Sequence, residues 1–340
     1  MSQPPPTVFI IILNWNGLDD TLRCLASVEK LNYQPRQVVL VDNGSTDGSP
    51  ERFKASYPHI PLIEHSVNRG YTGGNNAGIR YALAHGADYS WLLNNDTITE
   101  PDCLARLIER ANTDPDLGLL CPLTYHYDEP GRLQFRGAVA DMARETFIEG
   151  QDPRTGDPEP GAPPSLLWGT ALLVKSSVVR RIGYLDDRYF AYHEDVDYSL
   201  RAIKAGFHTV VEPRAVLYHK WAASSGADSP FRAYLLTRNW YLFWSSHLSG
   251  PSKWTYPSRY VAWAIRQAVA YRDGGNPSAA DACLDGAWSA LRGRFGPPQN
   301  GVKMPATLKH LLMAHPYFWN HLLAGKLLSI LGAAASRRRP

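Results

Sequence analysis

Cysteine is scarce in this chain, and its four copies form no disulfide or metal pattern. They are Cys24, Cys103, Cys121 and Cys283 among 340 residues, with no C-x-x-C pair. This spacing argues against a zinc ribbon and against a disulfide framework. We therefore expect buried free thiols in a protein of a reducing compartment.

Long hydrophobic runs are also missing. No uninterrupted apolar stretch reaches the roughly 18 residues that a membrane-spanning helix requires. The first apolar run covers only Val8 to Leu13, and no basic residues precede it, so it predicts a strand and not a signal peptide. A hydrophobic content of 44% is still enough for one large core.

Two nucleotide-binding fingerprints do not occur where they would be needed. G-x-G-x-x-G does not follow the first apolar run, which disfavours a nicotinamide-dependent dehydrogenase, and G-x-x-x-x-G-K-[ST] is absent, which excludes a P-loop. A nucleotidyltransferase would need a Gly-rich loop with Arg and Lys after the first strand. The sequence there reads NWNGLDD, which is acidic.

Acidic residues are missing from the C-terminal part. After Asp285 there is no Asp or Glu, while eight basic residues remain: Arg292, Arg294, Lys303, Lys309, Lys326, Arg337, Arg338 and Arg339. A basic excess favours an anionic neighbour. From about Phe231 the pattern is helical and aromatic. It fits helices that pack on the preceding part of the chain or on a second subunit, and equally a surface that docks on anionic lipid.

What the first half does contain is an alternation of short apolar runs with amphipathic segments. It predicts strands at residues 8–13, 38–41, 60–64 and 89–93, and helices at residues 18–30, 50–57, 74–85 and 101–111. Such alternation is typical of an α/β fold with a mostly parallel sheet and helices on both faces. We expect an α/β domain at 1–229 and a C-terminal helical region at 230–340. The polar stretch 149–165 predicts a flexible loop.

Polar clusters follow the predicted strands, where ligands of parallel sheets bind. They read NWNG, DNGSTDGS, NRGYTGGNN and NND. Asp42 is placed to accept hydrogen bonds from a nucleobase or ribose. The alternative is that this segment is only a strand-to-helix loop that binds no ligand. The glycines between Asn68 and Ile79 allow close approach to a ligand at a helix start, or serve flexibility alone.

The fourth cluster ends in a carboxylate, Asp96. Such a group can bind Mg²⁺ or Mn²⁺ while a nucleotide diphosphate supplies further oxygens. The alternative is a helix cap near Pro101. Thr99, with Asp102 three residues later, makes an imperfect capping box, so we expect Thr99 to cap and Asp96 to remain available. His219, at a later strand end, is a weaker candidate ligand.

YHEDVDYSLR places the three carboxylates of Glu194, Asp195 and Asp197 within four residues. Like charges this close raise at least one pKa, which suits a general base near neutral pH. An acidic first turn favoured by the helix dipole is the commoner explanation of such a segment. The local sequence alone therefore does not establish a catalytic role.

Taken together, these segments resemble glycosyltransferase family 2, from about Thr7 to Ser225. IIILNWNG, VLVDNGSTDGS, NRGYTGGNNAGI, WLLNNDT, GTALLVKSSVV, FAYHEDVDYSLR and YHKWAASS occur in the family's order. LLNNDT with HEDVD is similar to its rhamnosyltransferase and galactofuranosyltransferase branch. The resemblance implies a Rossmann-like GT-A fold and inverting, Mg²⁺- or Mn²⁺-dependent transfer from a nucleotide diphosphate sugar to a glycan or lipid-linked glycan. Q-x-x-R-W is absent, which favours single addition.

The resemblance also implies roles for matching residues. Asp195 would be the catalytic base, and Glu194, His193 and Trp168 would orient the acceptor. Asp96 would bind the metal, with Asn94 where the family's D-x-D motif has its first Asp, and His219 would be a second metal or diphosphate ligand. The donor would be bound by Asn14, Asn16, Asp42, Asn43, Ser45, Asn68, Gly70, Gly73, Asn75, Asn76 and Asn95.

The resemblance to the rhamnosyltransferase branch favours dTDP-rhamnose as the donor. A UDP-sugar transferase (galactofuranosyl, glucosyl or N-acetylglucosaminyl) and a non-catalytic nucleotide-sugar-binding protein remain alternatives. No nucleic-acid partner is expected. We expect a cytoplasmic protein, peripheral at the inner face of the cell membrane or assembled as a homo-oligomer.

Overall fold

The computed structural model describes residues 4–149, 165–220, 229–316 and residue 319. The chain divides into two compact units. The first comprises Met1–Phe190 and Glu194–Ser224, and the second comprises Ala191–His193 and Ser225–Pro340. Most of the predicted loop at 149–165 falls outside the described residues, as does the serine-rich segment after Lys220.

The first unit consists of short strands that alternate with helices. Its strands are β1 (Val8–Asn14), β2 (Arg36–Asp42), β3 (Leu62–Glu64), β4 (Tyr89–Asn94), β5 (Thr97–Thr99), β6 (Leu117–His126), β7 (Leu133–Phe135), β8 (Ala138–Asp141), β9 (Thr146–Glu149), β10 (Ala171–Lys175) and β11 (His208–His219). Its helices are α1 (Leu18–Val28), α2 (Ser49–Ser56), α3 (Gly70–Ala84), α4 (Cys103–Ala111), α5 (Ser176–Ile182) and α6 (Glu194–Lys204). The eight elements predicted for the first half are confirmed, with bounds that differ by up to four residues.

Nine of the described strands form one sheet, in the order β3-β2-β1-β4-β10-β6-β11-β5, with β7 paired to β6. The pairs among β1 to β4 are parallel, as is β6 with β11, whereas β10 runs antiparallel to both β4 and β6. The carboxyl ends of β1, β2, β4, β6 and β11 therefore share one edge. The segment that leads into β10 and the start of β5 lie at the same edge.

Alternate residues of β1 enter the two hydrophobic cores on opposite faces of the sheet, because side chains alternate along a strand. Val8, Ile10 and Ile12 pack with apolar residues of α1 and α4. Phe9 and Ile11 pack on the other face with residues of α3, α5 and α6. Helices thus cover both faces, as the alternating pattern predicted.

One local prediction is wrong. Thr99 does not cap a helix; it lies in β5, where it pairs with Leu217 of β11. Helix α4 begins at Cys103 with Asp102 in the N-cap position, and no side chain caps it. The three-residue strand forms because β11 supplies a pairing partner, and a local capping pattern carries no information about that partner.

From Pro230 onward, the described part of the second unit consists mainly of helices. Its helices are α7 (Pro230–His247), α8 (Gly250–Asp273), α9 (Pro277–Leu291) and α10 (Ala306–Ala314). Ala268, Cys283 and Leu284 are among its buried core residues. All four cysteines of the chain are buried free thiols, as expected. Among the described residues no helix is both long and apolar enough to cross a membrane.

Candidate active site

The polar clusters of the sequence meet at the carboxyl edge of the sheet. Asp42 is 1% exposed, and both of its carboxylate oxygens are held by the protein: Asn14 donates its side-chain amide to Oδ2 at 2.8 Å, and the backbone N–H of Ser45 donates to Oδ1 at 2.9 Å. Asn16 N–H donates to the Ser45 hydroxyl at 2.9 Å. This network fixes the β2 loop, and the nucleobase contact of Asp42 stays a prediction.

The amide of Asn95 points back into the protein. It donates to the Thr21 hydroxyl at 2.9 Å, and that hydroxyl donates to Oδ1 of Asn14 at 2.8 Å. Asn95 therefore ties the end of β4 to the loop after β1. This arrangement gives Asn95 a structural role at the edge, beside the donor contact predicted for it.

The asparagines of the β3–α3 region are also engaged with the protein. Asn43 donates to the side chain of Asn68 and to the carbonyl of Gly70, both at 3.0 Å, and joins the loops after β2 and β3. Asn75 donates to the carbonyl of Tyr71, one turn back in the helix. Asn76 donates to the Leu185 carbonyl and accepts from its N–H.

The first turn of α3 has a packing reason for its glycines. Gly70 has φ = 73°, and a Cβ at this position would lie 2.3 Å from the carbonyl oxygen of Phe190. A Cβ at Gly73 would lie 2.7 Å from Cβ of Arg69. Since Thr72 N–H donates to the same Phe190 carbonyl at 3.1 Å, the start of α3 holds the segment that leads to Glu194.

Asp96 and His219 are brought together by strand pairing. Thr97 of β5 pairs with His219 of β11, and the N–H of Lys220 donates to the Asp96 carbonyl at 3.1 Å. Oδ1 of Asp96 lies 3.2 Å from Nε2 of His219. This carboxylate oxygen is buried but accepts no hydrogen bond. The Nδ1 of His219 lies 2.7 Å from Oε1 of Gln134.

These residues fit a divalent cation of the Mg²⁺ or Mn²⁺ type. A buried carboxylate oxygen without a hydrogen bond, facing an imidazole nitrogen, offers two suitable donor atoms. Two neighbouring ligands at about 2.1 Å from one cation lie roughly 3 Å apart, close to the observed separation. Within the described ranges no group of three or more His, Cys, Asp or Glu could hold a metal, so the protein would supply only these two donor atoms.

The segment before α6 is strained. Phe190, Tyr192 and His193 have φ values of 65°, 71° and 70°, a region that costs non-glycine residues on the order of 1–3 kcal/mol each. Residues Ala191–His193 belong to the second unit, where Asn239 donates to the carbonyls of Ala191 and Tyr192 at 2.7 and 2.8 Å. Such strain persists only where surrounding contacts hold it, and it is frequent at active sites.

Asp195 is anchored to the segment that leads into β10. Its Oδ2 accepts a 2.7 Å hydrogen bond from the N–H of Gly169, and the carbonyl of Gly169 accepts a 2.5 Å hydrogen bond from the hydroxyl of Tyr71. A Cβ at Gly169 would lie 2.6 Å from that hydroxyl oxygen, so only glycine fits here without displacement. The candidate base is thus fixed by backbone and not by a mobile side chain.

The two adjacent carboxyl groups differ in their electrostatics. Burial and the charge of Asp195 raise the pKa of Glu194 well above its ordinary value. Burial also raises the pKa of Asp195, but hydrogen bonds from the backbone N–H groups of Gly169 and Val196 oppose that rise. Burial thus favours the neutral form of Glu194, while the backbone hydrogen bonds favour the charged form of Asp195.

The acceptor-orienting candidates occupy different units. Trp168 belongs to the first unit and stacks on Phe135, with ring centroids 4.2 Å apart. His193 belongs to the second unit and makes an edge contact with Trp240. Burial, with the charge of Arg232, lowers the pKa of His193 to about 4, so this ring is neutral at physiological pH.

Three neighbours of these groups were not predicted from the sequence. Tyr71 and Gly169 lie in the NRGYTGGNNAGI and GTALLVKSSVV segments, but their link to Asp195 depends on strand order. Gln134 lies on β7, a three-residue strand whose sequence, LQF, carries no signal of a site. The contacts of all three bridge distant segments, so no local pattern could have revealed them.

Comparison with known proteins decides the family. The model of the family described as "Glycosyl transferase family 2" matches residues 9–181. The chain belongs to glycosyltransferase family 2. It is 31% identical to the N-acetylglucosaminyl-diphospho-decaprenol L-rhamnosyltransferase of Mycobacterium tuberculosis over an alignment of 277 positions, which covers 74% of this chain and 86% of that protein. A galactofuranosyltransferase of Mycolicibacterium smegmatis is 27% identical over 54% of this chain and 60% of its own length.

Solved structures confirm the GT-A fold. A mannosyltransferase of Pyrobaculum calidifontis, solved with GDP-Man and Mn²⁺, matches with a TM-score of 0.51 and 17% identity over 94% of this chain and 85% of its own. GalNAc-T7, solved with UDP, GalNAc and Mn²⁺, matches with a TM-score of 0.58 and 14% identity over 78% of this chain and 51% of its own. This family 2 protein is thus a glycosyltransferase with a helical C-terminal unit.

Proposed function

We propose that this glycosyltransferase moves L-rhamnose from dTDP-rhamnose to a hydroxyl of a lipid-linked glycan, one sugar per acceptor, with inversion at the anomeric carbon. The rhamnosyltransferase of M. tuberculosis, whose name gives both sugar and lipid acceptor, supports the choice of donor and acceptor. The observation that carries the chemistry is Asp195, a half-buried carboxylate fixed by Gly169 at the edge that also holds Asp96 and His219.

The proposed reaction is a single displacement. Asp195 takes the proton of the acceptor hydroxyl while the hydroxyl oxygen of the acceptor forms a bond to the anomeric carbon. The bond from that carbon to the diphosphate oxygen breaks with its electron pair, and dTDP leaves. A cation held by Asp96 and His219 would neutralise charge on the diphosphate. Because attack comes from the face opposite the leaving group, configuration inverts.

Other residues of the site bind and orient. Protonated Glu194 removes a like charge from the neighbourhood of Asp195, so the base keeps its charge more readily. Trp168 and neutral His193 are proposed to orient the acceptor. We propose that the donor binds at the sheet edge formed by the loops after β1, β2 and β3. Asp42 would then contact the nucleobase of the donor.

A donor panel tests the assignment. Purified protein is incubated with Mn²⁺, an N-acetylglucosaminyl-diphospho-polyprenol acceptor and one donor at a time: dTDP-L-rhamnose, UDP-galactofuranose, UDP-glucose or UDP-N-acetylglucosamine. Acceptor-dependent release of dTDP supports the proposal. Turnover with UDP-galactofuranose alone would support the second candidate function, which the galactofuranosyltransferase relative favours.

We further propose that the second unit docks on anionic lipid. Residues 225–340 carry 14 Lys and Arg against 4 Asp and no Glu. Trp254 is 85% exposed beside the exposed Lys253, in the first turns of α8. An indole with neighbouring cations suits a lipid interface. Sedimentation with phosphatidylglycerol vesicles, lost in Trp254→Ser, would support docking; self-association without vesicle binding would favour a second copy of the chain instead.

A further inference from the structure

Gln134 contacts His219 in a way that determines the state of its ring. The side-chain nitrogen of Gln134 lies 3.5 Å from the backbone carbonyl of His219, and its side-chain oxygen lies 2.7 Å from Nδ1 of the same residue. A carbonyl only accepts hydrogen bonds, so it turns the amide nitrogen toward itself. The amide oxygen is thereby directed at Nδ1, and an oxygen there requires that Nδ1 carry the hydrogen.

The consequence appears at the other ring nitrogen. A neutral imidazole with hydrogen on Nδ1 has a lone pair on Nε2. That lone pair faces Oδ1 of Asp96 at 3.2 Å, and Oδ1 accepts no hydrogen bond although it is buried. In that tautomer, Nε2 of His219 and Oδ1 of Asp96 are two donor atoms 3.2 Å apart, a spacing that suits two ligands of one cation.

The sheet keeps these residues in register. β7 pairs with β6, and β6 pairs with β11 up to His219 opposite His126. β5 pairs with the other edge of β11, which places Asp96 next to His219. Gln134 therefore reaches His219 from one side of its strand, while Asp96 approaches from the other.

We propose that Gln134 is a positioning residue for the metal site: it holds the His219 ring in the tautomer whose Nε2 is free to bind a divalent cation together with Asp96. It does not touch the cation itself. The inference rests on the metal-dependent transfer proposed above, but it concerns cation binding by the protein alone, so it can fail while turnover stands.

The first test reads the tautomer in metal-free protein. A long-range ¹H–¹⁵N correlation spectrum of the His219 ring should show hydrogen on Nδ1 in the wild type. In Gln134→Leu, which keeps similar volume without an acceptor, this preference should be lost. Gln134→Glu keeps an acceptor and should keep the Nδ1 hydrogen. A wild-type ring with hydrogen on Nε2 would overturn the proposal.

The second test reads cation binding without any sugar donor. Electron paramagnetic resonance of free Mn²⁺ measures the affinity of each variant for the metal alone. We expect Gln134→Leu to bind Mn²⁺ about 10–100-fold more weakly, the usual cost of losing such a supporting residue, and Gln134→Glu to bind within a few-fold of the wild type or more tightly.

Gln37→Leu is the matched control, since Gln37 is an exposed glutamine on β2 of the same sheet. It should bind Mn²⁺ like the wild type, and circular dichroism should show equal folding of all variants. Equal Mn²⁺ affinity of Gln134→Leu and the wild type, or no Mn²⁺ binding by the wild type, would contradict the proposal.

Discussion

The N–H of Gly169 donates a 2.7 Å hydrogen bond to Oδ2 of Asp195, and these residues lie 26 positions apart in the chain. One is a glycine just before a central strand and the other is in the first turn of α6. The bond gives the carboxylate a fixed direction at the edge where the residues proposed to bind the donor converge. It also favours the charged form of Asp195, which the proposed reaction requires.

Tyr71→Phe tests whether the anchoring of Gly169 matters to Asp195. The variant loses the hydrogen bond to the Gly169 carbonyl, worth about 1 kcal/mol, so we expect kcat to fall about fivefold. The acid limb of the pH profile should move to higher pH, because a looser Gly169 supports the charged carboxylate less well. Tyr81→Phe, on the same helix, should leave rate and profile unchanged; a Tyr71→Phe variant that behaves like it would refute the link.

Glu194→Gln should change the pH dependence of stability. The pKa of Glu194 is raised in the folded state, so its burial destabilises the protein increasingly as pH rises above the ordinary carboxyl pKa of the unfolded chain. Glutamine does not titrate. The Tm advantage of the variant over the wild type should therefore grow from pH 4 to pH 8 in thermal unfolding followed by circular dichroism. A difference that stays constant with pH would count against a buried, protonated Glu194.

His193→Asn should make the stability of the folded protein less sensitive to low pH. The folded pKa of His193 is about 4 against about 6.5 in the unfolded chain, so the wild type loses stability as pH falls through this window, by about 3 kcal/mol in total. Asparagine tolerates the positive φ and does not titrate in this window. In urea unfolding, the free energy of unfolding should fall less between pH 7 and pH 4 for His193→Asn than for the wild type. Exposed His59→Asn is the control, and equal losses in both variants would contradict the prediction.

Asp96→Asn tests whether this carboxylate binds metal or supports the fold. The structure gives it no capping role, because α4 begins at Cys103. We expect the folded fraction and Tm to stay close to wild type, while the Mn²⁺ concentration for half-maximal activity rises roughly tenfold or more. Asp102→Asn, at the actual N-cap position, should leave the Mn²⁺ requirement unchanged. Lower stability with an unchanged requirement would assign Asp96 to the fold.

The sequence predicted the parts of the fold that local patterns encode. Val8 to Leu13 and the apolar runs after it alternate with amphipathic segments, and polar residues follow each run, so the sheet edge could be placed. The contacts between distant side chains could not be predicted, because they depend on strand order. Asp96 and His219 meet only because β5 pairs with β11. Thr99 was misassigned for the same reason, and Gln134 gave no signal at all.

The most direct test of the account is acceptor-dependent dTDP release by wild-type protein and Asp195→Asn, measured side by side with dTDP-L-rhamnose and Mn²⁺ at equal folded concentration. The amide keeps the shape of the side chain but cannot take the proton. We predict that kcat falls by a factor of about 10²–10⁴ while the Tm stays near the wild-type value. A folded Asp195→Asn variant that releases dTDP at the wild-type rate would contradict the central claim that Asp195 is the base.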